Sequence, residues 1–388
     1  MSETELKIEK LVYGGDGLAR MDGQVVLLPF VLPGETVRAD VARAKNDLLR
    51  GKLMGVEQAA AERIEPRCPY FLRCGGCHYQ HAGYEFQLEQ KRAILLEVLR
   101  RTGGIEYGGE IAMAAGEPWG YRNRIQLHVA GGKIGYFEAG SHALVAIEEC
   151  PIASPKLNEC IGVLASAVAG MRPFEATLEL FTNEREVQFN LRDRAPQAFV
   201  SVLRGMGVST PIEYGGLRVS RDTFFQVNRF LTERLVEVAV GDSQGRRAMD
   251  LYAGAGLFTL PLAKRFEQVT AVDDSVSAFR DLEHNASAAT VMNLATFQAT
   301  AEAHLLAVTE VPDLVIADPP RTGLGKVAVK ELVRIRAPRL TIVSCDPATL
   351  ARDLKMLLAG GYGIAAMTLI DLFPQTAHFE TVVQLACQ

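Results

Sequence analysis

A cysteine near the C-terminal end of the chain has the setting of a nucleophile. Cys345 follows an apolar run over residues 340–343 that predicts a buried strand. Asp346 and Pro347 predict the N-cap and the first position of the helix that comes next. The positive end of a helix dipole favours the thiolate, which is the nucleophilic form of cysteine. A buried structural cysteine is the competing interpretation of the same turn.

Two carboxylates are expected near this cysteine. Asp318 ends the apolar run 314–317 and is followed by two prolines that fix the turn, and Glu380 precedes the apolar run 381–385. Open α/β sheets bind their ligands at the carboxyl ends of their strands, so we expect both acids at one edge. An Asp-Pro-Pro turn also occurs in enzymes that methylate exocyclic amines, so this motif alone leaves the target atom open.

A glycine turn upstream predicts a site for a nucleoside-containing donor. Gly254 and Gly256 lie between a predicted strand and a helix, and Thr259 replaces the third glycine of the dinucleotide fingerprint. Asp273 ends the next predicted strand, where an acid can accept hydrogen bonds from both ribose hydroxyls. These features, in this order, predict an S-adenosylmethionine site.

The thiol and the acid together favour carbon as the methylated atom. C5 of uracil is a poor nucleophile until a thiolate adds to C6 and creates an enolate. A base must then remove the C5 proton so that the thiol can leave. Cys345 as nucleophile and Glu380 as base fit these two tasks, whereas methylation of an amine needs neither group.

Four further cysteines have the spacing of a metal centre. Three of them form a C-x5-C-x2-C pattern with two glycines that let the backbone fold tightly, and the fourth lies far along the chain. Thiolate-only ligation suits an iron–sulfur cluster or structural zinc, and the spacing does not separate the two. The predicted ligands are Cys68, Cys74, Cys77 and Cys150.

The elements that must position these residues fall into three predicted domains. Residues 1–58 have the short, glycine-punctuated strands of a small β-barrel. Residues 59–220 have mixed α+β patterns, and residues 221–388 alternate strand and helix as in a doubly wound α/β sheet. The barrel has a basic stretch that could contact RNA phosphates or form a solvated strand edge, and it comprises Arg43, Lys45, Arg50 and Lys52 against Asp47.

Composition narrows the function classes. No apolar run reaches membrane-spanning length, and the first residues lack the basic and apolar regions of a signal peptide, so we expect a cytoplasmic protein with no membrane partner. Seven unevenly spaced cysteines do not form a disulfide pattern. The net charge of −5 argues against binding of nucleic acid through bulk charge, so RNA specificity would depend on shape and a few placed cations.

Over essentially its whole length the chain resembles the family of S-adenosylmethionine-dependent RNA 5-methyluridine methyltransferases. Its N-terminal barrel is similar to a TRAM domain, and its four-cysteine set resembles that of the iron–sulfur branch that acts on 23S ribosomal RNA. The other motifs fall in family order, and they are Phe224-Phe225-Gln226-Val227-Asn228, Asp318-Pro319-Pro320-Arg321, the run from Ser344 to Asp353, and His378-Phe379-Glu380.

The resemblance implies a class I methyltransferase fold for the C-terminal domain and a role for each site residue. Cys345 is implied as the nucleophile and Glu380 as the base, and the four cysteines are implied to hold a [4Fe–4S] cluster with a structural or RNA-positioning role. Leu257, Asp273 and Asp346 stand where relatives often carry Asn, Glu and Asn. The positions implied at the donor and base pocket are Gln226, Tyr252, Gly254, Gly256, Asp273 and Asp318.

We therefore expect a monomeric enzyme that methylates C5 of a specific uridine in RNA, with 23S ribosomal RNA as the substrate. The target base must be extruded or already unpaired, because a stacked uracil cannot present C6 to a thiolate. Transfer RNA is an alternative substrate. A non-catalytic, cluster-bearing RNA-binding protein and an amine methyltransferase are the alternative functions, and the intact pair of Cys345 and Glu380 argues against the first of these.

Overall fold

The computed structural model describes residues 3–44 and 48–388, so Lys45 and Asp47 of the predicted basic stretch lie outside the described residues. The N-terminal strands enclose a core of their own that includes Leu28, Val37 and Ala39. Their bounds are β1 Glu3–Lys7, β2 Lys10–Leu11, β3 Gly17–Met21, β4 Gln24–Leu28, β5 Thr36–Arg43 and β6 Leu49–Gln58, and they pair in the order β1-β5-β6-β4-β3-β2.

One helix and one strand follow before the middle sheet begins. The apolar periodicity over residues 80–101 forms α1 (Tyr84–Val98), which continues as a π-helical turn (Leu99–Gly103) and ends at Gly104 with a φ of 65°. Strand β7 (Ile111–Ala114) comes next. Both elements lie within the segment predicted as the central domain, yet they pack against the C-terminal sheet described below.

The middle sheet is antiparallel and packs against two helices. Its strand Arg124–Ala130 alternates buried with more exposed side chains, as expected when one face is covered and the other is solvated. The elements are β8 Arg124–Ala130, β9 Lys133–Phe137, β10 Leu144–Ala146, α2 Pro155–Ala169, β11 Ala176–Thr182, β12 Val187–Leu191 and α3 Gln197–Met206, with the strand order β10-β9-β8-β11-β12. A hairpin of β13 (Ile212–Tyr214) and β14 (Leu217–Val219) links it to the C-terminal part.

The C-terminal sheet confirms the predicted doubly wound α/β fold. Its elements are α4 Thr232–Val240, β15 Gly245–Leu251, α5 Thr259–Ala263, β16 Phe266–Asp273, α6 Val276–Ala288, β17 Leu294–Gln298, α7 Ala301–Ala307, β18 Leu314–Ala317, α8 Gly325–Ile335, β19 Arg339–Ser344, α9 Pro347–Ala359, β20 Tyr362–Ile370 and β21 Glu380–Cys387. The strand order is β17-β16-β15-β18-β19-β21-β20-β7. Strands β15 to β19 run parallel, and β21 inserts antiparallel between β19 and β20.

Helices cover both faces of this sheet, and its central strands are therefore apolar throughout. Met249 and Leu251 of β15 face α1, α7, α8 and α9, whereas Ala248 faces the side of α4 and α5. The order of the strands reverses between β15 and β18, which is where open α/β sheets form their ligand crevice. Within the described ranges, no helix is both long enough and apolar enough to cross a membrane.

A buried ion pair ties α1 to the loop that leads into β21. Lys91 Nζ donates to Asp371 Oδ1 at 2.6 Å and to the carbonyl of Phe373 at 3.1 Å, and neither charged side chain is exposed to solvent. The hydroxyl of Tyr84 donates to Asp371 Oδ2 at 2.9 Å. Attraction offsets the desolvation of such a pair only while both charges and their hydrogen bonds are present. The pair therefore holds residues 371–373 against α1.

Replacing Lys91 with methionine is expected to lower the free energy of unfolding by about 3–5 kcal/mol, because Asp371 is then buried without a cation. Lys10→Met is the matched control, since the ion pair between Lys10 and Glu97 is partly exposed and contributes less than about 1 kcal/mol. Urea unfolding followed by circular dichroism measures both variants. Equal destabilisation by the two substitutions would contradict the prediction.

Candidate active site

The carboxyl ends of the parallel strands meet along one edge of the C-terminal sheet, and the predicted reactive groups lie there. Asp318 directly follows β18, and Cys345 directly follows β19. Glu380 begins the antiparallel strand β21, whose register pairs Thr381 with Ser344. Cys345 and Glu380 are therefore the next residues outward on neighbouring strands. The structure brings the thiol and the two acids together at this edge.

The turn that carries Cys345 is held by the helix cap that the sequence predicts. Asp346 Oδ1 accepts hydrogen bonds from the amides of Ala348 at 3.0 Å and Thr349 at 2.9 Å, and Pro347 is the first residue of α9. Both predictions for this turn are confirmed. The cap leaves Cys345 half-buried at the N terminus of the helix.

The surroundings of Cys345 nevertheless disfavour the thiolate. Burial, followed by the charges of Glu380 and Asp318, raises the pKa of this thiol to about 12, and the nearby Arg321 opposes the rise. The preference for the thiolate that is expected at a helix N terminus is therefore opposed by burial and by two acids. Deprotonation requires a change that accompanies substrate binding.

Glu380 and Asp318 form a pair of acids in a poorly solvated setting. Glu380 is 3% exposed, and burial together with the charge of Asp318 raises its pKa well above the ordinary range, while Arg321 lowers it. Burial likewise raises the pKa of Asp318. Two interacting acids of this kind share a proton, so they titrate as a pair. A carboxylate with a high proton affinity is suited to removing a proton from carbon.

The glycine turn after β15 leaves backbone open to a ligand. Gly254 and Gly256 have φ values of 56° and 97°, where glycine is favoured, and Tyr252 before them has a φ of 62°. A Cβ added to Gly254 would meet no atom of the described chain within 4 Å, whereas one added to Gly256 would lie 3.0 Å from Leu282. The first glycine therefore borders open space, and the second packs against α6.

Two acids flank this turn and suit a donor with hydroxyls and a positive charge. Asp273 accepts from the amides of Gly254 at 2.8 Å and Ser275 at 2.9 Å, which fixes its carboxylate while leaving lone pairs for a ligand. Thr259 Oγ1 donates to Asp250 Oδ2 at 2.5 Å, and Asp250 Oδ1 is buried without a hydrogen-bond partner among the described residues. Thr259, which breaks the dinucleotide fingerprint, therefore positions Asp250.

Gln226 is buried in a segment fixed from two sides. The amide of Asn123 donates to the carbonyl of Val227 at 2.9 Å, and the side chain of Asn123 donates to the carbonyl of Gln226 at 3.4 Å. Thr223 Oγ1 donates to Asp281 Oδ2 of α6 at 2.7 Å. The residues just before the middle sheet thus help to position a predicted donor-binding residue of the C-terminal part.

The four predicted ligand cysteines line one cavity of about 300 Å³. The cavity also reaches Arg321 and His378, beside the sheet edge that carries Cys345 and Glu380, which is called the catalytic edge below. Burial raises the pKa of all four thiols, and the charge of Cys150 raises the pKa of the other three further. Four thiols around one cavity are a ligand set that fits a thiolate-ligated metal centre. However, in residues 3–44 and 48–388 no three His, Cys, Asp or Glu side chains are grouped so that they could hold a metal ion. The cysteines are Cys68, Cys74, Cys77 and Cys150.

Tyr13 reaches the catalytic edge from the N-terminal sheet, and sequence reasoning did not identify it. Its hydroxyl donates to Asp346 Oδ2 at 3.0 Å, and its ring meets that of Phe379 edge-on. Because the contact joins residues more than 300 positions apart, no local pattern could have revealed it. The adjacent glycines Gly14 and Gly15 predict only a turn.

Alkylation of Cys345 by iodoacetamide in the free protein is expected to become steadily faster from about pH 7 to about pH 10. With the pKa of the thiol raised to about 12, the reactive thiolate fraction keeps growing over this whole interval. Mass spectrometry of the peptide that contains Cys345 measures the rate, and free cysteine, whose pKa is about 8.5, serves as the reference. The prediction would be contradicted if the alkylation rate of Cys345 stopped rising at the same pH as that of free cysteine, or at a lower pH.

Two family matches and several relatives are found for this chain. Residues 216–388 match the family described as tRNA (Uracil-5-)-methyltransferase, and residues 2–54 match the TRAM domain. The chain is 34% identical to an uncharacterized RNA methyltransferase of Aquifex aeolicus, with 98% of each chain covered. It is 32% identical to the 23S rRNA (uracil(1939)-C(5))-methyltransferase RlmD of Pectobacterium atrosepticum, with 95% of this chain and 90% of that protein covered.

A solved structure matches the whole chain. The Pyrococcus abyssi tRNA (uracil-54, C5)-methyltransferase in complex with S-adenosyl-L-homocysteine is 26% identical, and the match covers 99% of this chain and 100% of that one. The TM-score is 0.77. The similarity extends over the N-terminal sheet, the middle sheet and the C-terminal sheet together.

Proposed function

This chain belongs to the family of RNA uracil-C5 methyltransferases, and on that premise we propose that it methylates C5 of a specific uridine in 23S ribosomal RNA. One observation carries the proposal. The register of β19 and β21 sets Cys345 beside Glu380, so a thiol and a carboxylate share one sheet edge. These are the two groups that carbon methylation of a pyrimidine requires. We assign RNA binding to the N-terminal TRAM domain.

In the proposed reaction Cys345 acts first. Its Sγ bonds to C6 of an unstacked uracil, and the electrons of the C5–C6 double bond move to give an enolate with a nucleophilic C5. Because the pKa of the free thiol is raised to about 12, the thiol must give its proton to solvent as the uracil binds, and the thiolate released at the end of the reaction takes a proton back. Arg321 is the nearby cation whose charge favours the thiolate.

Glu380 acts after the methyl group has reached C5. The sulfonium of bound S-adenosylmethionine supplies that group as an electrophile. Glu380 then takes the proton from C5, the C6–Sγ bond breaks, and Cys345 is restored. The burial that raises the pKa of Glu380 makes its carboxylate a stronger base. Asp318 can hold the one proton that the two acids share, which leaves Glu380 ionised at this step.

The proposed donor site is the crevice beside the glycine turn. The open backbone at Gly254 gives the donor room, and Asp273 is placed for ribose hydroxyls. The unpaired Asp250 Oδ1 supports a ligand that carries positive charge, as the sulfonium and the ammonium group of S-adenosylmethionine do. The further residues that we assign to the donor and base pocket are Gln226, Tyr252, Gly256 and Asp318.

We also propose that the four cysteines around the shared cavity hold a [4Fe–4S] cluster. Four half-buried thiols that line one cavity support a metal centre, and the resemblance to the iron–sulfur branch favours a cluster over zinc. Arg321 and His378 on the cavity wall would place the cluster next to the catalytic edge. Methyl transfer moves no net electron, so the role that we assign to the cluster is structural or RNA-positioning.

Anaerobic purification is expected to give a brown protein with broad visible absorption and about four iron and four sulfide ions per chain. Cys77→Ser is expected to lose the colour because a ligand is removed, whereas Cys160→Ser is expected to keep it, since Cys160 lies in the core of the middle sheet. Absorption spectra and metal analysis measure both variants. A colourless protein that contains zinc would contradict the assignment.

The choice of ribosomal over transfer RNA is supported by the curated relatives. Proteins named as 23S rRNA (uracil(1939)-C(5))-methyltransferase RlmD are 31–32% identical and match along at least 89% of their length. The solved structure with a TM-score of 0.77 is a tRNA (uracil-54, C5)-methyltransferase at 26% identity. Transfer RNA is therefore the second candidate substrate.

The deciding experiment incubates the protein and labelled S-adenosylmethionine with unmethylated 23S rRNA or with tRNA transcripts. Digestion to nucleosides is expected to give labelled 5-methyluridine from the ribosomal RNA. Label in tRNA alone would overturn the substrate. Absence of labelled 5-methyluridine from both RNAs would overturn the proposed function, and label on an exocyclic amine would replace it.

A further inference from the structure

The N-terminal TRAM domain extends a turn, residues 13–15, into the catalytic edge. Its tip is closely packed, because a Cβ added to Gly15 would lie 2.9 Å from Cδ2 of His78. His78 in turn accepts a hydrogen bond at Nδ1 from the amide of Ala377 at 3.3 Å. The turn is therefore seated against the loop that ends at Glu380, with little room to shift.

Tyr13 in this turn completes the hydrogen bonding of the helix cap beside Cys345. Oδ1 of Asp346 accepts hydrogen bonds from the amides of Ala348 and Thr349, and Oδ2 accepts one from the hydroxyl of Tyr13 at 3.0 Å. Burial and the charge of Asp346 both raise the pKa of Tyr13, so the phenol stays a donor. The bond orients the carboxylate that caps α9 and so orients the turn of Cys345.

The ring of Tyr13 meets the other side of the catalytic edge. It lies edge-on to Phe379, the residue before Glu380, with 6.4 Å between ring centroids and an interplanar angle of 73°. Such edge-to-face pairs are a preferred arrangement of aromatic rings. One side chain therefore contacts the neighbour of the proposed nucleophile and the neighbour of the proposed base.

We propose that Tyr13 is a positioning residue for methyl transfer, which fixes the Cys345–Asp346 turn relative to the Phe379–Glu380 segment. The proposal rests on the roles proposed above for Cys345 and Glu380. It gives the TRAM domain a part in the chemical step in addition to RNA binding. The second carboxylate oxygen of Asp346 is the acceptor that the phenol needs.

Tyr13→Phe removes the hydrogen bond and keeps the ring. A hydrogen bond to a charged group is expected to be worth about a tenfold change in rate, so the single-turnover rate of 5-methyluridine formation should fall about tenfold. The dissociation constants of the RNA and of S-adenosylmethionine should stay within about twofold of the wild-type values. Rapid-quench assays and equilibrium binding measure these quantities on the full chain.

A double-mutant cycle with Asp346→Ser tests whether Tyr13 acts through Asp346. Serine can still cap α9 but cannot reach Tyr13, so adding Tyr13→Phe to it should lower the rate by less than about twofold. Tyr107→Phe is the matched control, because it loses an exposed hydrogen bond to the carbonyl of Glu110. Lys10→Met is a second control, because it loosens the same domain elsewhere. Both controls should keep the wild-type rate.

Three results would overturn the inference while leaving the proposed function intact. They are an unchanged rate in Tyr13→Phe, a loss confined to RNA affinity, and a loss in Lys10→Met equal to that in Tyr13→Phe. Full additivity in the cycle would overturn it as well, because Tyr13 would then not act through Asp346. Failure of the wild-type protein to form 5-methyluridine would instead overturn the proposed function.

Discussion

Cys345→Ala is expected to abolish both 5-methyluridine formation and any covalent protein–RNA adduct, with a loss of turnover on the order of 10⁴-fold or more. Without Sγ no bond to C6 can form, and C5 of uracil is then too weak a nucleophile to take the methyl group. The substitution removes a half-buried thiol from the end of β19 and leaves the Asp346 cap in place. The affinity for S-adenosylmethionine should therefore be retained.

The measurement combines a labelled-methyl assay with denaturing gels that detect RNA bound to protein. Cys387→Ala is the matched control, since Cys387 is the last residue of β21 and lies at the opposite end of that strand from Glu380. The control should have wild-type turnover. Normal turnover of Cys345→Ala would remove Cys345 from the mechanism and would return it to the interpretation as a structural cysteine.

The sequence predicted that the thiol and the two acids would lie at one edge of the sheet because its motifs are local. Each reactive residue follows or precedes an apolar strand, and a parallel sheet must bring such strand ends to one edge. The N-cap at Asp346 was predictable for the same reason, since a cap depends on residues only two and three positions away. The pairing of Thr381 with Ser344 was not predicted, because it depends on how β21 inserts into the sheet.

The contacts that the sequence did not reveal join distant parts of the chain. β7 is short and has no strong strand pattern, yet it pairs with β20 at the edge of the sheet. Lys91 of α1 is buried against Asp371, which lies 280 positions further along the chain. The raised pKa of Cys345 was not predicted, because it results from burial and then from acids that other strands bring close. Tertiary partners decide each of these features.

These distant contacts converge on the loop before Glu380. Lys91 holds Asp371, the side chain of Gln87 bonds both to the side chain and to the amide of Gln375, and the amides of His78 and Tyr79 donate to the carbonyl of Gln375. His78, which directly follows Cys77, is thus hydrogen-bonded to the loop that positions the proposed base. Damage to the cysteine site is therefore expected to reach Glu380 through this loop.

Glu380→Gln is expected to accumulate a covalent adduct between Cys345 and methylated RNA, while turnover falls by about 10²- to 10⁴-fold. Addition at C6 and methyl transfer do not require Glu380 as a base, but elimination does. The amide is nearly the same size as the buried carboxylate, so the edge of the sheet should keep its packing. It also removes one of the acids that raise the pKa of Cys345, which favours addition in the variant.

A gel shift that survives denaturation and carries both labelled RNA and labelled methyl identifies this adduct, and Cys345→Ala in the same background should eliminate it. Glu310→Gln is the matched control, because Glu310 is exposed and lies before β18, at the opposite edge of the sheet. An adduct that contains RNA but no transferred methyl group would show that Glu380 acts before methyl transfer. Normal release of product by the variant would assign proton abstraction to another group, and Asp318 is the neighbouring acid that could then take that role.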